Sequence, residues 1–166
     1  MNEALEELAD RQAIGDILVA YCLHLDTMDL DALAALFTRD CDVVYGPGEH
    51  LQSRGREALA KSLERMWRWT RTSHHLSNLR IRFDGPDSAD VTSYVIAWHE
   101  RSDGSTATIY GQYRDRVLRT DAGWRIDRRR MLMNGSDAGF TVPIPPLERR
   151  PAPAGWVAPE ISPPSE

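Results

Sequence analysis

Apolar residues in the first part of the chain recur at the 3.6-residue spacing of amphipathic helices. The clearest stripe, with Ile14, Leu18 and Leu25 on one face, predicts a helix over residues 3–25. Two shorter stretches repeat this pattern. Between them an apolar run from Cys41 predicts a strand that ends in a Gly/Pro turn. The predicted helices cover residues 3–25, 30–37 and 55–69.

From residue 73 onward apolar and polar residues alternate, which is the pattern of half-buried β-strands. The segments DGPD, RSDG and TDAG separate four such runs, and each is short and rich in turn-forming residues. Helices followed by a meander of strands indicate an α+β fold, with helices packed on one face of a curved antiparallel sheet. The predicted strands cover residues 74–83, 89–100, 105–119 and 123–133.

The C-terminal part has a different composition, because eight of the ten prolines follow Asn134. Proline at that density excludes helix interiors and central strands. The sequence therefore predicts one domain over residues 1–135, followed by an extended or disordered tail over residues 136–166.

Charge and cysteine content narrow the possible partners and the compartment. A net charge of −5 argues against a protein that binds nucleic acid. Two cysteines, Cys22 and Cys41, lie in no metal or redox spacing and fit a reducing compartment. The acidic N-terminus has no apolar signal core, and no apolar run reaches membrane-spanning length. We expect a cytoplasmic protein that contacts neither membranes nor nucleic acid.

No phosphate loop, dinucleotide glycine fingerprint, nucleophile elbow or HExxH zinc motif occurs in the chain. We therefore expect chemistry that uses side chains alone, with no metal and no cofactor.

Two adjacent histidines lie in the segment TSHHLSN, residues 72–78. Neighbouring residues of a strand point to opposite faces, so only one imidazole can face the concave side of the sheet. If Leu76 and Asn78 face inward, His74 does so too and His75 lies outside. The simpler alternative is that both are ordinary half-exposed strand residues.

Asp26 ends the first predicted helix close to its apolar stripe. A polar turn residue is the simple interpretation, but a partly buried carboxylate needs a hydrogen-bond donor such as an imidazole. His99 ends an alternating strand, and Tyr45 and Tyr113 are strand aromatics for which core packing is the default.

Arginines cluster in the last predicted strand. If that strand stays regular, Arg128 and Arg130 share a face with the apolar Trp124 and Ile126. An arginine on an apolar face is unfavourable unless it meets an anion. One of the two would therefore bind a substrate or pair with Asp26.

Several motifs together resemble one known family: the helical segment AIGDILVAYCLHLDTMDL, the segment TSHHLSN and the strand pair GQYRDRVLRTDAGWRI. On these residues the chain is similar to the SnoaL-like group of the nuclear-transport-factor-two-like superfamily over residues 8–133. The resemblance implies a cone-shaped α+β fold. In it a curved, mostly antiparallel sheet wraps around three N-terminal helices and encloses a deep internal pocket.

Members of this group include cofactor-free dehydratases and a dehydrochlorinase that remove a proton with an Asp–His pair. The resemblance implies that His74 is the general base and that Asp26 orients it. Tyr21, His99 and Tyr45 fall where related enzymes carry other catalytic or water-holding residues. The candidate substrate-binding residues are Asn78, Tyr113, Arg130 and Trp69.

The function predicted in this way is a cofactor-independent lyase. It would perform a dehydratase-type β-elimination on a hydrophobic, ring-containing or polyketide-like small molecule. Two alternatives stay open: a polyketide cyclase or ketosteroid-type isomerase on the same fold, and a non-catalytic subunit that binds a small ligand. The resemblance also implies a homo-oligomer, a trimer or a dimer, formed through the outer face of the sheet. The proline-rich tail is a candidate cover for the pocket.

Overall fold

Two helices open the chain, and a tight turn separates them. Helix α1 covers Glu3–Asp26 and helix α2 covers Leu30–Ala35. Met28 adopts the left-handed backbone conformation in the turn, with φ of 57°. The side chain of Asp29 caps α2 by accepting a backbone N–H hydrogen bond at 3.1 Å. Because Asp29 performs the capping, the Asp26 carboxylate is not needed for it.

The structure, a computed structural model, describes residues 3–137 and 154–155. Apart from residues 136–137 and 154–155, the predicted tail lies outside the described residues. Beyond α2 the elements are β1 (Phe37–Val44), a first 3₁₀ helix (Glu49–Leu51), β2 (Gln52–Arg54), α3 (Arg56–Leu63), a second 3₁₀ helix (Glu64–Arg68), β3 (Arg71–Gly85), β4 (Ser88–Glu100), β5 (Thr106–Thr120) and β6 (Gly123–Ser136).

The six strands form one open sheet in the order β2-β1-β6-β5-β4-β3. Neighbouring strands are antiparallel except β1 and β6, which run parallel. Helix α1 packs against β3 and β6, and α3 packs against β1 and β2. This arrangement confirms the predicted α+β cone, with the helices on the inner face of a mixed, mostly antiparallel sheet.

The hydrophobic core fills the space between that inner face and the helices. Ile14 and Leu18 of α1 and Val91 and Val117 of the sheet are almost completely buried. Burying each such side chain stabilises the fold by about 1.5–3 kcal/mol. No helix among the described residues is long and apolar enough to cross a membrane.

Strand β6 does not keep a regular alternation. Its pairing with β5 shifts register beside Asp127, where a β-bulge inserts one extra residue. A shift of one residue reverses the face to which every later side chain points. As a result Arg129 faces the core, as Trp124 does earlier in the strand. Arg128 and Arg130 lie on the outer side of the sheet. The predicted inward orientation of those two arginines is therefore wrong.

Candidate active site

Asp26 and His74 meet where the end of α1 packs against the start of β3. Nδ1 of His74 lies 2.6 Å from Oδ1 of Asp26, and the His74 backbone N–H donates to Oδ2 at 2.9 Å. The hydroxyl of Thr72 donates a third hydrogen bond to Oδ1 at 2.7 Å. These donors fix the carboxylate, and the carboxylate in turn fixes the orientation of the imidazole ring.

The same contacts decide the protonation of the pair. Burial works to raise the pKa of Asp26. The hydrogen bonds and charge of His74, together with the bond from Thr72, outweigh burial and hold that pKa below its ordinary value. The carboxylate is therefore ionised at neutral pH and accepts a hydrogen bond from Nδ1–H of His74. That tautomer leaves Nε2 of His74 as the basic nitrogen.

His74 and His75 point to opposite sides of β3, as alternation along a strand predicts. The side chain of His74 is only 3% exposed and lines an internal cavity. His75 is exposed, and its Nε2 lies 2.9 Å from the hydroxyl oxygen of Ser73. The adjacent pair therefore supplies one buried imidazole and one solvated imidazole of the same chain.

His99 lies beside His74 on β4, with the ring centroids 5.5 Å apart and the ring planes at 87°. Nδ1 of His99 is 3.3 Å from the carbonyl oxygen of Ala107. Burial, and then the nearby His74, lower the pKa of His99 to about 4. His99 is therefore neutral at pH 7, with Nδ1–H directed at a backbone carbonyl. The predicted catalytic role of His99 stays a prediction.

The cavity between the helices and the sheet has a volume of about 80 Å³. Most small-molecule sites have roughly 300–1,000 Å³, so the predicted deep pocket is narrow in this conformation. Side chains around the cavity must move before a ring-sized ligand fits. The apolar lining includes Leu25, Leu63, Met66, Ala97, Ile109 and Met131.

Behind the cavity lies a fully buried cluster, here called the floor, made of Tyr21, Tyr45, Tyr113, Arg129 and Asp115. The hydroxyls of Tyr21 and Tyr45 are 2.6 Å apart. Arg129 donates to both carboxylate oxygens of Asp115, at 2.8 and 2.7 Å. Its guanidinium carbon lies 4.1 Å from the ring centroid of Tyr21 and 4.0 Å from that of Tyr113. The floor thus holds a cation that is neutralised within the cluster.

Burial controls the ionisation of the floor. It raises the pKa of Tyr21, Tyr45 and Tyr113, so these phenols remain protonated and act as hydrogen-bond donors. Burial alone would favour neutral Arg129. The charge and hydrogen bonds of Asp115 outweigh that effect, and the pKa of Arg129 lies well above its ordinary value.

Sequence reasoning missed Arg129 and Asp115. One signal for Asp115 was present, since it shares a strand face with Tyr113 and Val117, and a buried carboxylate requires a cation. Regular alternation placed Arg129 on the outer face. Only the β-bulge beside Asp127 turns it inward.

On the solvent side the cavity ends at the second 3₁₀ helix and the residue after it. Arg65, Arg68 and Trp69 line the cavity there and are here called the mouth. Trp69 contacts His99, with the ring centroids 4.9 Å apart, and Arg101 stacks on Trp69 at 4.7 Å. Trp69 was among the predicted substrate-binding residues, and the two arginines were not.

Two predicted substrate-binding residues lie away from the cavity. Asn78 is exposed, has a left-handed φ of 49° and lies where β3 shifts register against β4. Arg130 donates to the Asp42 carboxylate at 2.5 Å on the outer side of the sheet. Irregular strand geometry explains both positions, through the register shift of β3 near Asn78 and the β-bulge before Arg130. The substrate-binding roles of the two residues stay predictions.

The structure thus brings most of the predicted site residues to one cavity. Those that line it are Tyr21, Tyr45, Trp69, His74, His99 and Tyr113, and Asp26 binds His74 from behind. The catalytic and binding roles of these residues stay predictions. Among the residues that the structure describes, no group of three or more His, Cys, Asp or Glu side chains is arranged to hold a metal ion.

Comparison with known proteins identifies the family. The profile of the SnoaL-like domain matches residues 6–130. The chain belongs to the SnoaL-like domain family. A relative of this SnoaL-like chain, the uncharacterized protein Rv2910c of Mycobacterium tuberculosis, is 29% identical over 130 residues, which is 76% of this chain and 86% of that protein.

Solved structures agree with the assignment to the SnoaL-like family. A protein of Novosphingobium aromaticivorans, provisionally named a scytalone dehydratase, is 33% identical with a TM-score of 0.83, covering 89% of this chain and 99% of that chain. The hexachlorocyclohexane dehydrochlorinase LinA-type3 of Novosphingobium barchaimii is 22% identical with a TM-score of 0.73, covering 87% and 100%. The second likeness shows the fold alone. SnoaL-like proteins include enzymes of the dehydratase and isomerase type and also non-catalytic members.

Proposed function

We propose that this protein is a cofactor-independent lyase that eliminates water from a small, ring-containing substrate. The observation that carries the proposal is the 2.6 Å contact between Asp26 and His74 Nδ1 beside a narrow, largely apolar cavity. An ionised carboxylate on one imidazole nitrogen fixes the tautomer and orientation of the ring and stabilises the imidazolium that forms. The likeness to a protein provisionally named a scytalone dehydratase supports the same reaction class.

The proposed reaction uses His74 as its only proton carrier. Nε2 of His74 removes a proton from a carbon next to an activating group such as a carbonyl. The C–H electron pair forms the new C=C bond while the bond from the β-carbon to the hydroxyl oxygen breaks. The departing hydroxide takes the proton back from the imidazolium and leaves as water. His74 therefore ends the cycle in its starting state.

The remaining polar groups of the cavity support this cycle without ionising. The raised pKa values of the buried tyrosines make proton loss unfavourable. The hydroxyl of Tyr45 would therefore stabilise a developing oxyanion or the departing oxygen by hydrogen bonding. Neutral His99 would accept a hydrogen bond rather than supply a proton.

The test is a screen of cyclic β-hydroxy carbonyl compounds for loss of water, followed by three variants. His74→Ala should lower kcat/KM by about 10²–10⁴-fold, since that is the usual contribution of a general base. Asp26→Asn should lower it by a smaller factor, because the imidazole stays in place without the carboxylate. His75→Ala is the matched control, since it removes the exposed neighbouring imidazole. Equal activity of His74→Ala and His75→Ala would refute the proposed mechanism.

Isomerisation is a second candidate, favoured by the single proton carrier. A base that returns its proton to a different carbon of the same substrate moves a double bond and loses no atoms. Mass spectrometry separates the two reactions, because a lyase product is lighter than its substrate by one water and an isomerisation product has the same mass.

A further inference from the structure

Arg65 lies at the mouth of the cavity, half-buried and with no carboxylate partner among the described residues. Its Nη1 donates to the carbonyl oxygen of Ser62 at 2.5 Å and to the Ser62 hydroxyl at 2.7 Å. Its guanidinium carbon lies 5.1 Å from the ring centroid of Tyr45. Within the described part of the chain no Asp or Glu is in salt-bridge contact with Arg65, and the neighbouring Glu64 binds Lys61 at 2.7 Å.

Two arginines of the last strand have carboxylate partners. Arg129 is bound by Asp115 through two hydrogen bonds, and Arg130 is bound by Asp42. Placing a guanidinium out of water is unfavourable unless an anion meets it. Arg65 has no such anion within the described residues. The half-buried Arg56 and Arg125 also have none there and donate only to backbone carbonyls, but of these three arginines only Arg65 lines the cavity.

The cavity itself has an excess of positive charge. Arg65 and Arg68 are the only Lys, Arg, Asp or Glu side chains among the described residues that line it. Arg68 lies next to Arg65 and donates from Nε to the Arg65 carbonyl oxygen at 2.9 Å. Burial, offset in part by nearby tyrosines, and the charge of Arg68 lower the pKa of Arg65. An anion placed between the two guanidinium groups would remove this repulsion.

We propose that the substrate of this protein is an organic acid whose carboxylate binds Arg65 at the mouth while its apolar ring enters the cavity. The inference rests on the proposed function only in taking this cavity as the substrate site. Arg65 has N–H groups left for a charge-assisted hydrogen bond, and a guanidinium presents them in the planar arrangement that a carboxylate matches. Arg65 would therefore be a specificity-determining residue, separate from the Asp26–His74 pair.

The experiment is a titration of the whole protein with benzoate and, separately, with its neutral isostere benzamide. Two-dimensional ¹H–¹⁵N NMR spectra monitor each titration. Each probe has a single ring and so requires the least movement of the side chains around the cavity, and the indole N–H of Trp69 reports on binding at the mouth. We expect benzoate to bind the wild type about 10- to 100-fold more tightly than benzamide, as a charge-assisted hydrogen bond predicts. Arg65→Gln should abolish this preference and leave the affinity for benzamide unchanged.

Two further variants control for charge and for folding. Arg54→Gln removes one positive charge from an exposed strand residue away from the cavity and should retain the preference for benzoate. Arg65→Lys keeps the charge and should retain part of the preference, so it replaces Arg65→Gln if that variant does not fold. Three results would overturn the inference. The wild type could bind the two probes equally or not at all, or Arg65→Gln could keep the preference for benzoate. Benzoate could also change the NMR chemical shifts only of residues near the arginines on the outer face of the sheet.

His74→Ala separates this inference from the proposed function. It should keep the preference for benzoate, because the imidazole is not the group that binds the carboxylate. A preserved preference together with unchanged turnover in His74→Ala would identify an anion-binding pocket without the proposed chemistry. Lost turnover in His74→Ala, together with no preference for benzoate in the wild type, would support the proposed lyase reaction and exclude an acidic substrate.

Discussion

The floor of the cavity holds a buried arginine and the mouth holds a half-buried one. The two differ in whether a carboxylate neutralises the guanidinium. Arg129 at the floor is fully buried, bound to Asp115 and packed between two tyrosine rings. Arg65 at the mouth packs on one tyrosine ring and meets no carboxylate of the described chain. The charge of Arg129 is thus neutralised without a ligand, although its buried Nη1 has no hydrogen-bond partner within the described residues, whereas Arg65 at the mouth has a charge that a ligand can neutralise. The paired arginine of the floor therefore stabilises the fold, and the arginine of the mouth is the one proposed to bind a ligand.

The largest expected effect tests the floor. Asp115→Ala should lower the free energy of unfolding by about 3–5 kcal/mol, because it leaves the Arg129 guanidinium buried and unpaired. Urea denaturation measures the loss. Asp42→Ala is the matched control, since it breaks the partly exposed pair with Arg130 on the outer side of the sheet, which is worth at most about 1 kcal/mol. Equal losses in the two variants would remove the distinction between a structural floor and the rest of the sheet.

A second prediction concerns His99, which lies between floor and mouth. Its pKa of about 4 in the folded protein is lower than that of an exposed histidine, near 6.5. Between these values the unfolded chain binds a proton and the folded chain does not, so stability rises with pH across this window and falls as pH drops towards 4. The contribution approaches about 1.4 kcal/mol per pH unit.

His99→Gln should flatten this dependence of the free energy of unfolding on pH between 4 and 6.5. His75→Gln should leave the dependence as it is in the wild type, because that imidazole is exposed. Urea denaturation at a series of pH values gives both slopes. An unchanged slope in His99→Gln would show that the cavity wall is more hydrated than the buried position of His99 indicates.

A smaller effect is expected at the hydroxyl pair that closes the floor. Tyr45→Phe removes one partner of the 2.6 Å contact and leaves the fully buried Tyr21 hydroxyl without it. An unsatisfied buried hydroxyl costs about 1–3 kcal/mol. Tyr110→Phe, on an exposed tyrosine, should change stability by less than about 0.5 kcal/mol. A loss in Tyr45→Phe no greater than in Tyr110→Phe would show that the hydroxyl pair adds nothing to the floor.

The smallest effect is expected at the mouth. Arg65→Gln should change the free energy of unfolding by at most about 1 kcal/mol, because no carboxylate loses its partner and only local contacts with Ser62 and Tyr45 disappear. The same variant is expected to lose the preference for benzoate, so binding and stability should separate at this residue. A loss as large as that of Asp115→Ala would make Arg65 part of the framework and weaken its assignment to recognition.

The sequence by itself determined the layout of the domain. A helical period followed by a period of two predicts α+β with the correct order of the three helices and five of the six described strands, because each period reports which side of an element is apolar. Strand alternation also predicted that only one of His74 and His75 can face the cavity, since adjacent residues of a regular strand point to opposite faces, and the family resemblance selected His74. The pairing of Asp26 with His74 came from the family resemblance, because no local pattern relates two residues separated by 48 positions.

Only the tertiary structure decided where local irregularities turn the strands. The bulge beside Asp127 places Arg129 at the floor and Arg130 on the outer side of the sheet. Within β3, the left-handed Asn78 lies at a register shift and points away from the cavity. A bulge depends on how two strands pair, so counting residues along one strand does not reveal it. The unpaired state of Arg65 was also hidden, because whether a cation has a partner depends on side chains brought together from different elements. The periodicity of a chain thus fixes its faces, and the long-range packing fixes which charges on those faces meet.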